Sequence, residues 1–214
     1  MENKIAIIRQ WLGTGSIDIF GLPFSGKDTV GIRLAELIGG KFLSSGMILR
    51  ATNDNELLRN LAAGVLAPSE KFKDIVLPYL RRPDLANYPL ILSSVGRWEG
   101  EEFDVIIAAN EGGHPIKAVI LLNVSEQEVK NRWEASKVLQ DRGNRRDDHE
   151  ERVLDTRIQE FIEKTMPVIE TYRKRNLLVP VSANADRETV FMNVINGLYD
   201  MVLREEGRDV PLEQ

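Results

Sequence analysis

The chain has 214 residues, 43% of them hydrophobic and 29% charged, with a formal net charge of −5. That length suits one α/β domain with a full core, and the net negative charge excludes a general basic field for nucleic acid, so anion affinity must come from local Arg and Lys. The absence of cysteine excludes disulfides, thiolate catalysis and Cys-based zinc sites. Ile5, Ile8, Trp11 and Leu12 are at helical spacing and predict a helix over 3–12 that stops at Gly13-Thr14-Gly15. The start is too short and too soon interrupted by Arg9-Gln10 for a signal peptide or membrane span, and no later run reaches membrane length; a cytoplasmic protein without membrane contact is expected. Residues 1–16 read as a helical extension that docks on the sheet.

A strand follows at about 17–21, then Gly21-Leu22-Pro23-Phe24-Ser25-Gly26-Lys27-Asp28-Thr29, then a helix from Lys27 to Ile38 closed by Gly39-Gly40. A strand, a Gly-bounded loop carrying a lysine and a helix form the arrangement that wraps a nucleoside triphosphate. A phosphate chain needs many N–H donors at close range. Glycines let the backbone approach it, the helix N-terminus adds partial positive charge, and Lys27 supplies a mobile point charge. The strict pattern has Ser or Thr directly after the lysine; here Asp28 stands there and Thr29 follows. On the loop alone, a turn that merely joins strand to helix is the alternative.

Lys41–Ser44 reads as a short strand, and helices are expected over 46–52, 54–63 and 69–82, broken by Asn53, Gly64 and Pro68. Pro89–Ser93 is a buried-type strand, 99–110 is helical, and Ile116–Val124 has the strongest strand pattern. Ser125 caps the next helix with Glu128 at the reciprocal position. The polar loop Asp141–Arg146 precedes a long helix to about 175, followed by a strand at Leu177–Val181 and a helix over 187–204; the tail 205–214 is expected to be loose. Five apolar strands alternating with helices predict a three-layer α/β/α fold on a parallel sheet. Ligands of such sheets bind beyond the carboxyl ends of the strands, where the loop 21–29, Ser93-Ser94 and Ser182-Ala183-Asn184 fall. One domain is expected over 17–204, with mobile insertions at 45–82 and 133–148. His114, His149, Trp11 and Trp133 read as structural, and Trp98 either packs the core or lines a pocket.

Over about 17–204 the chain resembles the adenylate kinase family of P-loop nucleoside monophosphate kinases. GLPFSGKDT is similar to the family's Gly-x-Pro-x-x-Gly-Lys-x-Thr, displaced threonine included. Ser45-Gly46-Met47-Ile48-Leu49-Arg50 looks like its Thr/Ser-Gly-Asp-Met-Leu-Arg, and Gly64–Glu70 like its Gly-x-Leu-Val-Pro-Asp/Ser-Glu. Leu92-Ser93-Ser94-Val95-Gly96-Arg97 aligns with Leu-Asp-Gly-Phe-Pro-Arg. Arg146 and Arg157 keep the eleven-residue separation of its paired lid arginines, and Thr165–Tyr172 repeats its Thr-x-Pro-Leu-Ile-x-x-Tyr helix.

The resemblance implies transfer of the terminal phosphoryl of ATP, with Mg²⁺, to a nucleoside monophosphate, most simply AMP, by a monomer with no nucleic-acid partner. It implies that 45–82 is the monophosphate-binding insertion and 133–148 a short lid. ATP is expected at Gly21, Pro23, Ser25, Gly26, Lys27, Asp28, Thr29, Arg132 and Asn184. The acceptor is expected at Ser45, Gly46, Arg50, Ser94, Arg97 and Glu101. Lys27, Arg97, Arg132, Arg146 and Arg157 are the implied catalytic charges, with Arg145 a rival to Arg146. Phosphoryl transfer to a phosphate needs little general-base chemistry; it needs two polyanions in line and their charge neutralised, for which guanidinium forks are suited.

Three departures leave alternatives open. Met47 and Ser93 replace family acids that help hold magnesium's water shell, so Asp28 either takes over that role or only favours its helix N-terminus. Catalysis is either retained or weakened to nucleotide binding. Glu101 stands where the family has a base-reading amide: it either accepts from amino or imino groups of guanine or cytosine, pointing to GMP, CMP or another acceptor such as UMP, or is simply a first-turn acid. The second lid arginine, four residues after Arg132, is Ser136, beside Lys137.

Overall fold

Strand β1 (Ser16–Gly21) is buried along its whole length and lies at the centre of a five-stranded parallel sheet. With β2 (Lys41–Ser44), β3 (Leu90–Ser93), β4 (Ile116–Asn123) and β5 (Leu178–Ser182), the order is β2-β3-β1-β4-β5. Ile17 stands between Ile91 of β3 and Ala118 of β4, and Val119 pairs with Leu178. The computed structural model describes residues 1–139 and 150–207. Strand side chains alternate between faces, so each strand feeds two cores. Ile17, Ile19, Ile91, Ile120 and Val179 pack beneath α2 (Lys27–Ile38) and α10 (Arg187–Glu205). On the other face, Phe20, Val119 and Leu121 meet Val168, Ile169 and Tyr172 of α9 (Met166–Lys174). Each such buried aliphatic or aromatic side chain contributes roughly 1.5–3 kcal/mol relative to exposure.

The N-terminal helix α1 (Glu2–Leu12) does not lie on the strands as expected. It packs mainly against α10, and also α2, because those helices already cover that face. Its Ile8 and Leu12 complete the core edge, and Lys4 Nζ and Trp11 Nε1 donate to Asn196 (2.9 Å) and Glu205 (2.7 Å) on α10. Residues 45–82 form α3 (Ser45–Arg50), α4 (Asn55–Ala62) and α5 (Ser69–Ile75), with a 3-10 turn over Leu77–Arg81. The single helix predicted over 69–82 divides because Pro78 lacks the N–H that would continue it. This group packs its own apolar cluster against β3 and α6 (Glu101–Glu111).

The long helix expected up to 175 also divides. Between α8 (Glu151–Glu160) and α9 lies a π-turn, Phe161–Thr165, where Pro167 cannot donate to the carbonyl four residues back. Ser125 Oγ accepts from the Glu128 N–H (3.2 Å) ahead of α7 (Glu126–Leu139), but only half of the reciprocal cap forms. The Glu128 carboxylate turns to Arg132, and the Ser125 N–H goes to Asn184 Oδ1 (2.9 Å). Arg145, Arg146, His149 and most of the predicted lid lie outside the described residues. Among those described, no helix is long and apolar enough to cross a membrane.

Asp18 is the polar exception in β1. Burial pushes its carboxyl from the ordinary 3.8 up to about 8, against the lowering effect of main-chain N–H groups at Val95, Ile19 and Ser94. The folded chain therefore holds a proton that the unfolded chain releases above its ordinary value, and stability on this account falls as pH rises from about 4 to about 8. Asp18→Asn is expected to gain melting temperature relative to wild type between pH 5 and pH 8. A difference that stays constant across that range would show that the carboxyl titrates normally.

Candidate active site

The loop after β1 opens onto the start of α2. Gly26, at φ 93°, is the N-cap and offers no side chain to the helix, so the first-turn N–H groups remain for a ligand. Only a glycine adopts that left-handed conformation without strain. Lys27 Nζ donates to the carbonyls of Gly21 and Leu22, both at 2.9 Å, which holds its charge over the loop. Phe24 takes φ 60°, unusual for a side-chain-bearing residue, and buries its ring among Val129, Trp133, Leu154 and Ile158. The loop is thus anchored between α7 and α8. Sequence reasoning missed this role, whose one signal is a large aromatic in a Gly-bounded loop.

Two cavities meet at this loop. The first, of about 200 Å³, has Gly21, Pro23, Gly26, Lys27, Asp28 and Thr29 on one wall. Ser45, Gly46 and Arg50 of α3 form a second, Ser94, Arg97 and Glu101 a third, and Arg157 of α8 projects from the far side. Gly64 lets the insertion close against α8, since a Cβ there would sit 2.7 Å from the Val153 carbonyl. Arg97 Nε donates to Thr165 Oγ1 (3.2 Å), in the π-turn. Burial pushes the Arg97 guanidinium down to about 10, opposed by the charge of Glu160, so it remains cationic at neutral pH.

Four N–H groups of the turn around Arg97 have assigned partners, as buried backbone requires. The Ser94 N–H donates to Ile19 O (3.1 Å) and the Val95 N–H to the Asp18 carboxyl (3.1 Å). The N–H groups of Arg97 and Trp98 donate to Glu101 Oε2 at 2.7 and 3.0 Å. One oxygen of Glu101 therefore does what a first-turn acid does. The other, Oε1, is buried without a well-formed hydrogen bond, and burial pushes the carboxyl up against the lowering effect of the Trp98 and Arg97 N–H groups and the Ser69 hydroxyl. Trp98 lines the cavity and donates from Nε1 to Ala67 O (2.8 Å), tying the insertion to this turn.

Asp28 and Ser93 touch. Ser93 Oγ donates to Asp28 Oδ1 at 2.8 Å, so an acid stands at the junction of β3 and the loop, carried by α2. Met47 is 53% exposed and absent from the cavity wall. Among the described residues no cluster of three or more His, Cys, Asp or Glu is placed to hold a metal ion.

The second cavity, of about 530 Å³, lies between α7 and the turn after β5 and is lined by Ser25, Arg132, Ser136 and Asp186 among others. Arg132 spans its floor: NH2 donates to Ala183 O (2.6 Å) and Ala185 O (3.1 Å), and Nε to Glu128 (2.8 Å). Asn184 lines neither cavity; its side chain accepts from Ser125. The two cavities share Phe24, Gly26 and Thr29. A ligand in each would bring its end to the start of α2.

No family model matches the chain. It is 30% identical over 186 residues to adenylate kinase of Mycobacterium tuberculosis strain H37Rv, covering 84% of this chain and 97% of the relative. It is 30% identical over 184 residues to adenylate kinase of Schistosoma mansoni, covering 83% and 89%. In fold it is similar to a gluconokinase from Sinorhizobium meliloti 1021, with a TM-score of 0.62 at 17% identity over 91% of this chain and 97% of that one. A match of this extent to the mycobacterial enzyme, on a parallel sheet with a lysine-bearing loop, settles the family: the chain belongs to the P-loop kinases that include these adenylate kinases.

Proposed function

We propose that the chain moves the terminal phosphoryl group of ATP to a nucleoside monophosphate, AMP in the simplest case, giving two ADP. The observation that carries this reading is the pair of cavities meeting at Phe24, Gly26 and Thr29, with arginines on the walls of both. A triphosphate seated over Arg132 would extend its phosphates along the α2 N-terminus and Lys27. A monophosphate between Arg50 and Arg97 would meet it there. The bond between the terminal phosphorus and its bridging oxygen breaks while one forms to an acceptor phosphate oxygen, and ADP leaves with the electron pair. The acceptor is already an anion, so no strong base is needed; Lys27, Arg97 and Arg157 offset the charge that spreads over the transferred group.

Mg²⁺ suits this oxygen-rich junction because it takes few protein ligands and keeps several waters. Asp28, steadied by Ser93, and Thr29 would hold its water shell, and the ion would supply charge neutralisation on the donor phosphates. Glu101 favours a second acceptor class. Its carboxyl lines the cavity and, when ionised, accepts without donating, which suits a base edge presenting amino or imino donors, such as that of guanine or cytosine.

A coupled assay of diphosphate formation with AMP, GMP, CMP and UMP, with and without Mg²⁺, tests the reading. Turnover of at least one of the four monophosphates, dependent on Mg²⁺, is expected. No transfer to any of the four would leave only a nucleotide-binding module. Asp28→Asn is expected to raise the Mg²⁺ needed for half-maximal rate several-fold; an unchanged Mg²⁺ titration would mean that Asp28 serves only its helix.

A further inference from the structure

The side chain at position 18 serves neither packing nor phosphate chemistry directly. It is an acid with no exposure, in the middle of the fully buried run Ser16-Ile17-Asp18-Ile19-Phe20, with Leu92 and Val119 as its strand neighbours. An apolar residue there would fill the space without placing a polar group in the interior. Of the main-chain N–H groups that act on the carboxyl, those of Val95, Ile19 and Ser94, Val95 is the strongest partner. Both of its oxygens face the Val95 N–H, at 3.1 and 3.4 Å, and that N–H belongs to the turn that ends β3 and leads into Arg97.

The turn needs such help. Ser94 takes φ 54°, a left-handed conformation that a side-chain-bearing residue adopts at a cost, and it persists only where its surroundings over-determine it. Four ties hold Ser94 and Val95: Ser45 Oγ donates to Ser94 O (2.7 Å), the Ser94 N–H and Oγ both reach Ile19 O, and the Val95 N–H reaches Asp18. Arg97 lies two residues beyond Val95, and its guanidinium is held by Thr165.

We propose that Asp18 is a positioning residue for the acceptor site: from the central strand its carboxyl fixes the Ser94–Arg97 turn, and so sets where Arg97 meets the acceptor phosphate. The assignment of an acceptor rests on the kinase reading above; the tie from Asp18 to Val95 does not. The titratable groups on the packed elements are Tyr172 of α9, Glu102 of α6 and, at the end of α9, Arg175; β3 and β4 contribute the apolar Leu92 and Val119. Glu102 is committed to the Gly100 N–H (2.7 Å). Tyr172 Oη has no hydrogen-bond partner among the described residues, so it does not divert Asp18 from the turn.

The test compares Asp18→Leu, which removes the acceptor, with Asp18→Asn, whose amide oxygen still accepts from the Val95 N–H. KM is measured separately for ATP and for the best monophosphate, and amide exchange at Val95 is followed by NMR with Ile120 of β4 as internal control. Leaving a buried N–H without a partner predicts about a tenfold rise in acceptor KM for Asp18→Leu. KM for ATP stays within about twofold, Asp18→Asn restores acceptor KM to within about threefold, and exchange accelerates at Val95 but not at Ile120. Equal rises in both KM values, or an acceptor KM unchanged in Asp18→Leu, would overturn the proposal. If Asp18→Leu does not fold, Asp18→Asn decides: the proposal stands if it keeps both acceptor KM and Val95 protection, and falls if it loses either. If the wild type transfers to no monophosphate, the kinase reading fails, and accelerated or unchanged exchange at Val95 still supports or overturns the tie itself.

Discussion

Lys27→Met is expected to lower turnover by about 10²- to 10³-fold while the chain stays folded, the loss typical of removing one preorganised donor from a transition-state site. The ammonium group is held at 2.9 Å by the carbonyls of Gly21 and Leu22, at the rim of the cavity that also presents the open N-terminus of α2. Methionine keeps the stem and removes the charge. Because charge develops on the transferred group during reaction more than in bound ATP, the loss should fall mainly on kcat. Circular dichroism and melting temperature close to wild type would show that the loop survives. Turnover within threefold of wild type would mean that Lys27 lies outside the reaction.

Arg97→Ala should lower kcat/KM for the monophosphate by a similar factor, about 10²- to 10³-fold, and leave KM for ATP within about twofold. Arg97 is held in the cavity wall by Thr165, remains cationic with its pKa pushed down to about 10, and faces Arg157 and Glu160. A guanidinium in that setting is preorganised to receive a phosphate in fork geometry, so Arg97→Lys should recover only a small part of the loss. Arg97 is only partly buried, and Glu160 keeps its pairing with Lys164 when the guanidinium is removed, so stability should fall little. Substrate-specific kinetics therefore separate this effect from unfolding: parallel losses for ATP and acceptor would place Arg97 in the scaffold instead.

Which parts of this site could be read in advance follows from how local each signal is. The strand Ser16–Gly21, the loop 21–29 and the start of α2 are contiguous, and their glycines and lysine carry a chemistry that short-range pattern expresses. The five parallel strands were likewise visible as short apolar runs between helices. What escaped is made by distant residues. Phe24 binds the loop to Trp133 and Ile158, and nothing near position 24 announces those partners. Asp28 meets Ser93 across 65 positions, so the sequence could offer Asp28 in place of the acid missing at 93 but could not show that the two side chains touch. Asn184 looked like a ligand by its place at a strand end, yet its amide is used by Ser125. Helix interruptions at Pro78 and Pro167 carry a visible signal, and the widened turn before Pro167 is what brings Thr165 to Arg97.

On the proposed reaction two nucleotides lie end to end, one in each cavity, with their phosphates joined over the start of α2. Calorimetric titration with a bisubstrate compound, two adenosines linked through five phosphates, addresses it most directly. One molecule is expected to bind per chain, far tighter than ATP or AMP alone and displaced by either nucleotide, with affinity lost in both Lys27→Met and Arg97→Ala. Two molecules per chain, or displacement by ATP with AMP without effect, would contradict it.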